Sequence, residues 1–183
     1  MLVNRAQQVS RAAALRLVVT DCDGVLTDAG VYYGPEGELL KRFSIRDGMG
    51  VERLRAAHVE VGIMSGERSP SLTARARKLG IERVWLGVRD KRAQLQDALR
   101  EMGLSMGQVA FIGDDVNDLD VIEAVNAAGL TGAPADAVAE VARAVQRHGA
   151  APGGHGAFRE FAEWILGLRA EAAMSVRTVE EED

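Results

Sequence analysis

Residues 16–27 read RLVVTDCDGVLT: an apolar, β-branched run stops at Asp21, and a second carboxylate, Asp23, and a glycine follow at once. Four further runs share its character, VEVGIM (59–64), RVWLG (83–87), QVAFIG (108–113) and AGLTG (128–132). Each is short, almost wholly apolar and flanked by glycine or turn residues, the pattern of a strand buried on both faces. The intervening segments switch to helical spacing. Leu95, Ala98, Leu99 and Met102 share one face, as do Phe158, Phe161, Ala162, Ile165 and Leu166. Strands alternating with helices predict an α/β fold built from βαβ units around a parallel sheet. Such crossovers are right-handed, and ligands bind beyond the carboxyl ends of the strands.

One segment departs from this rhythm. VYYGPEGELLKRF (31–43) places Gly34-Pro35-Glu36-Gly37 between two short extended runs, which predicts a β-hairpin inserted after the first strand. A hairpin this small is marginal alone, so it is expected to pack on something, a second subunit included.

The bulk composition bounds the function. At 183 residues the chain suits one domain with one core. A net charge of −5 lacks the excess of Lys and Arg that a nonspecific nucleic-acid surface requires, and no apolar run is long enough to span a bilayer. Cys22 is the only cysteine, which excludes an internal disulfide and suits a reducing, cytoplasmic compartment. Residues 1–15 carry arginine and no acid but lack the apolar centre of a secretory signal, and read as an N-terminal extension or helix. The foldable domain is expected over 16–170, with 171–183 an unstructured polar tail.

Three predicted strands run into reactive residues: the first into Asp21 and Asp23, the second into Ser65 and Gly66, the fourth into Gly113-Asp114-Asp115-Val116-Asn117-Asp118. Lys91 follows the third strand and opens a helix. A parallel sheet brings all of these to one edge. Five carboxylates in one crevice would raise one another's pKa values or gather around a cation, and their hard oxygens suit Mg²⁺. A metal there would let an anionic carboxylate approach an anionic phosphate. Lys91 and the Ser65 hydroxyl could hold phosphoryl oxygens, and Asp23 could give and take the proton.

Asp21-Cys22-Asp23-Gly24-Val25 with Thr27, the strand ending at Ser65, Lys91, and Gly113-Asp114-Asp115 with Asp118 resemble, in order, the four motifs of the haloacid-dehalogenase superfamily. The resemblance covers roughly residues 16–169. It implies a single Rossmann-like domain and assigns Asp21 as the phosphorylated nucleophile. It implies that Asp23 binds Mg²⁺ through its carbonyl and exchanges protons through its side chain, and that Asp114 is a further metal ligand. Asp115 and Asp118 would support the metal from behind or through water.

The space between motifs leaves no room for a cap domain, only the hairpin. This is similar to the minimal-cap sugar-acid phosphatases, which act on 3-deoxy-D-manno-octulosonate 8-phosphate or on nonulosonate 9-phosphates and assemble as tetramers with shared pockets. FSIRDGMGVERL (43–54) and GGHGAFRE (153–160) resemble that family's substrate-facing and tail segments, with His155 where Arg or Lys is usual. Arg46, Gly66, Glu67 and Arg159 are then the residues implied to face the sugar. Arg46 with Asp47-Gly48 favours the octulosonate ester, and Glu67 favours the nonulosonate. A receiver-type phosphoacceptor and a silent assembly subunit are the remaining readings. The pairing of Asp23 with the Gly113–Asp118 motif, and the presence of all four motifs, argue against them.

Overall fold

The computed structural model describes residues 3–180. A first helix, α1 (Arg5–Ala14), starts at a capping box in which the Asn4 side chain accepts from Gln7 N–H and the Gln7 side chain accepts from Asn4 N–H. The apolar run follows as β1 (Leu17–Thr20), and the hairpin as β2 (Tyr32–Gly34) and β3 (Gly37–Leu40), with a register irregularity at Tyr32/Tyr33. The chain continues through α2 (Ile45–Ala56), β4 (Glu60–Ser65), α3 (Pro70–Leu79), β5 (Arg83–Leu86), α4 (Lys91–Met102) and β6 (Val109–Ile112). It ends with α5 (Leu119–Asn126), β7 (Leu130–Ala133), α6 (Ala139–Ala144), β8 (Arg147–His148) and α7 (Ala157–Glu180).

Six strands form one parallel sheet in the order β5-β4-β1-β6-β7-β8, with Leu17 opposite Glu60 on one side and Val109 on the other. The central strands feed both layers. Val18, Val61, Ile63, Ala110 and Ile112 pack with Val51, Leu54, Leu72, Phe158 and Phe161 on one face. Leu17, Val19, Met64, Val109 and Phe111 pack with Leu95, Leu99, Val121 and Ile122 on the other. This is the α/β sheet expected from uninterrupted apolar runs.

The segment read as an N-terminal extension or helix forms α1 and packs into the domain: Ala12 and Leu15 are fully buried, and Arg169 donates to their carbonyl oxygens. The boundary at residue 170 falls inside α7, which meets no Gly or Pro after Gly167 and continues to Glu180. Of the expected tail, residues 181–183 lie outside the described residues. The two-residue strand β8 was not anticipated, since a short polar edge strand carries no apolar signal.

Candidate active site

The sheet order reverses at β1, whose neighbours β4 and β6 are reached by crossovers in opposite directions. The crevice at that reversal is where open α/β sheets bind ligands. Asp21 leaves β1 there, its N–H donating to Ile112 O, and its Oδ1 accepts from Cys22 N at 2.6 Å. Asp114 and Asp118 come from the loop after β6. Oxygens of Asp21, Asp114 and Asp118 all lie within 4.8 Å of one another.

One cation sits among them. Lys91, at the first position of α4 behind its Asp90 cap, places Nζ 2.9 Å from Asp21 Oδ2 and 2.6 Å from Asp118 Oδ1. The other oxygen of Asp118 accepts from the backbone N–H groups of Asp114 and Asp115, so this fully buried carboxylate braces the loop. Gly113 is required there, because a Cβ would meet the Asp118 carboxyl carbon at 2.4 Å. Asp115 is exposed, and its side chain caps the next turn through Val116 N–H.

The charges are unbalanced. Burial, reinforced by the Asp118 charge, pushes the Asp21 carboxyl up to about 7 against the opposing pull of Lys91. Burial and the neighbouring carboxylates push Asp114 up to about 8. Burial works against the Lys91 ammonium, but Asp21 and Asp118 outweigh it and hold it above the usual lysine range. Cys22, beside the nucleophile position, is fully buried with its thiol pushed well up by desolvation, which leaves it unreactive.

Asp23 and Ser65 stand at the carboxyl ends of the adjacent strands β1 and β4. Asp23 accepts from Thr27 Oγ1 and from Lys41 Nζ. Ser65 ends β4 buried, with Oγ accepting from Glu67 N–H. Gly66 and Glu67 are exposed beyond it. Arg46, exposed in the first turn of α2, lines a cavity of about 370 Å³ with Arg42, Phe43, Ser44, Ile45 and His155. Arg159 does not line that cavity; its guanidinium Nε lies 2.7 Å from Glu163 one turn along α7. Larger hollows, about 440 and 600 Å³ among them, open near the start of β4 and below α5, and neither of these two is lined by Asp21, Asp114 or Asp118.

A family model described as a haloacid dehalogenase-like hydrolase matches residues 38–126. Over 160 residues the sequence is 39% identical to the 3-deoxy-D-manno-octulosonate 8-phosphate phosphatase KdsC of Haemophilus influenzae, covering 87% of each protein. The chain is a haloacid dehalogenase-like phosphatase. The cobalt-bound structure of the deoxy-D-mannose-octulosonate 8-phosphate phosphatase from Haemophilus influenzae matches with a TM-score of 0.83 at 38% identity, covering 88% of this chain and 93% of that one. The Moraxella catarrhalis 3-deoxy-D-manno-octulosonate 8-phosphate phosphatase, in complex with magnesium, phosphate and a KDO molecule, matches with a TM-score of 0.84 at 28% identity, covering 96% of this chain and 99% of that one.

The phosphatase is thus a phosphoric monoester hydrolase, and its fold shows three features that sequence reasoning missed. Lys41 is buried against Asp23. Asp47 sits in the first turn of α2 behind the cap Ser44. Its buried carboxylate accepts from the N–H groups of Gly156 and Arg159 and so ties α2 to the start of α7. Gly153 and Gly154 pack closely on the loop after β1. Gly154 N–H donates to Val25 O, and a Cβ on Gly153 would lie 2.0 Å from Gly24 O, so these glycines press the loop after β1 into place.

Proposed function

We propose that this phosphatase hydrolyses 3-deoxy-D-manno-octulosonate 8-phosphate through a phosphoryl group carried on Asp21, with Mg²⁺ as its metal. The observation that carries the reading is the convergence of Asp21, Asp114 and Asp118 at the sheet's reversal, with Lys91 paired to Asp21 and Asp118.

The donor set fits a hard divalent cation. Asp114 Oδ1 is buried with no hydrogen-bond partner among the described residues, and raised carboxyl pKa values mark a site short of positive charge. Gly24, at φ +83°, leaves room for Asp114, since a Cβ would lie 1.9 Å from its Oδ2. Asp21, Asp114 and the backbone carbonyl of Asp23 would hold the ion. When bound it neutralises phosphate charge and aligns the displacement. Asp118 and Asp115 support the loop that carries Asp114.

In the reaction an Asp21 oxygen attacks phosphorus as the bond to the sugar oxygen breaks. Asp23 gives its carboxyl proton to that departing oxygen, releasing the alcohol. The resulting Asp23 carboxylate takes a proton from water, whose oxygen attacks phosphorus as the bond to Asp21 breaks. Inorganic phosphate leaves, and both aspartates return to their starting states. Lys91 and Ser65 hold phosphoryl oxygens, Lys91 also relieving the repulsion between Asp21 and Asp118.

The substrate assignment is supported by the curated relative and by the basic cavity of Arg42, Arg46 and His155, which suits a sugar carboxylate. Gly66, Glu67 and Arg159 are the further substrate-side candidates. The octulosonate ester is expected to exceed a nonulosonate 9-phosphate in kcat/KM by on the order of 10-fold or more. A preference for the nonulosonate would overturn the choice of ester and assign the specificity to Glu67.

Magnesium and pH provide a separate check. Both raised carboxyls take up protons in the folded state well above the pH at which the unfolded chain releases them. The folded state therefore binds more protons between about pH 4 and 8, and the stability of the metal-free protein falls as pH rises through that window. Thermal denaturation in a chelator is expected to show a lower Tm at pH 8 than at pH 5, with Mg²⁺ raising Tm most at pH 8. A magnesium effect independent of pH would count against the site.

A homotetramer is proposed as well. Tyr32, Tyr33, Leu39 and Ile45 are all more than 60% exposed, an apolar face that a second copy would cover. Light scattering should give the mass of four chains, and a fully active monomer would contradict it. Among the described residues no helix is long and apolar enough to cross a membrane, and the lone buried Cys22 suits the cytoplasm.

A further inference from the structure

Lys41 is the one basic residue of the hairpin segment that the fold buries, with 7% of its surface exposed and its side chain almost wholly enclosed. A buried ammonium must be paired, and its partner is Asp23, with Nζ 2.6 Å from Oδ2. Glu38, in β3 three residues before it, is a more distant neighbour at 3.8 Å and is itself fixed. It accepts from Ser69 Oγ at 2.7 Å and from Ser71 N–H at 3.2 Å at the start of α3. β3 is therefore pinned through Glu38 to the helix that follows the Ser65 strand, and Lys41, just past the end of β3, delivers an ammonium onto Asp23.

Asp23 is held at both oxygens. Thr27 Oγ1 donates to Oδ1 at 3.1 Å while Lys41 takes Oδ2. A carboxyl group that must reach a departing oxygen and later a water needs its orientation set beforehand. We infer that Lys41 is a positioning residue that orients Asp23 for proton transfer, its ammonium holding Oδ2 while the proton that is transferred is carried on Oδ1, so that the hairpin segment contributes to the reaction through this contact. Lys41 acts through Asp23 and touches no reacting atom. The inference rests on the assignment of Asp23 as the proton donor.

If Lys41 only anchored the hairpin, its loss would affect all esters alike. If it positions the donor, the loss falls on esters whose leaving group needs a proton. Nitrophenolate leaves unaided and a benzyl alkoxide does not, although the two esters are of similar bulk. The test compares kcat/KM, which reports only the steps through phosphoryl transfer to Asp21, for p-nitrophenyl phosphate and benzyl phosphate in the full-length enzyme with Mg²⁺. Lys41→Met is expected to lower the value for benzyl phosphate by on the order of 10- to 100-fold more than for p-nitrophenyl phosphate. Lys41→Arg should return the ratio towards wild type, and Lys41→Gln, which keeps a donor without the charge, should show the same selective loss if the Met variant does not fold. Equal losses on both esters, or no loss on either, would overturn the inference and leave the phosphatase reading standing. An Asp23→Asn variant with the wild-type rate on both esters would overturn the role of Asp23 and the inference with it.

Discussion

Asp21→Asn is expected to lower kcat by about four orders of magnitude or more, the scale on which removal of a nucleophile acts. The substitution is nearly isosteric, and the amide oxygen can still accept from Cys22 N–H, so the loop after β1 should keep its shape. What disappears is the charge that attacks phosphorus. Stability should move little, because the neutral side chain loses attraction to Lys91 while escaping the Asp118 charge that helps hold the Asp21 carboxyl at about 7. Steady-state kinetics with a Tm measurement on the same sample separates the two effects. Wild-type turnover in a folded variant would remove Asp21 from the reaction.

Lys91→Met should damage both activity and fold. Its ammonium is the one cation paired with both Asp21 and Asp118 in the described structure, and all three groups are buried. Removing one partner from such a cluster costs about 3–5 kcal/mol, because the charges left behind have neither water nor a counterion. Methionine matches the volume of the lost stem, so packing contributes little to the effect. The sign with pH follows from the carboxyls. At low pH protons can neutralise Asp21 and Asp114, whose folded-state values are already raised, and at high pH they cannot. The destabilisation measured by urea unfolding in chelator should therefore be larger at pH 8 than at pH 5. Magnesium should restore part of it by supplying positive charge to the same cluster. Activity should fall by about 10²- to 10⁴-fold, since a buried charge aimed at the transferring phosphoryl group is lost. A destabilisation equal at both pH values would mean that Lys91 serves packing alone.

The parts of the molecule that the sequence made legible are those where one residue type has one physical use. Val18, Val19, Phe111 and Ile112 lie in uninterrupted apolar runs, and only a strand covered on both faces buries such a run. That Asp21, Lys91 and Asp114 come together was readable because each follows a strand, and a parallel sheet brings strand ends to one edge. The turn Gly34-Pro35-Glu36-Gly37 marked the hairpin in the same local way.

Lys41 and Asp47 were not legible, for a shared reason. A lysine at the end of a short strand is indistinguishable, in sequence, from a solvated edge charge. Only the tertiary fold brings it onto Asp23, 18 residues away in the chain. Asp47 stands in a helix's first turn, where aspartate is common for local reasons, yet its partners are Gly156 and Arg159, more than 100 residues distant. Arg159 shows the reverse case. The string GGHGAFRE drew attention to its side chain, whereas in the fold its backbone N–H meets Asp47 and its guanidinium meets Glu163. Likewise α7 outran the expected boundary because polarity was read as disorder in a segment without a helix breaker.

The most direct test of the account is to look for the phosphoryl group on the enzyme. Magnesium-loaded protein would be mixed with octulosonate 8-phosphate, quenched in acid on the millisecond scale, digested and analysed by mass spectrometry. The peptide containing Asp21 should gain a phosphoryl group at a rate at least equal to turnover, lose it as phosphate appears, and stay unmodified in Asp21→Asn. Phosphate released at the full rate while that peptide remains unmodified at every quench time would contradict the account.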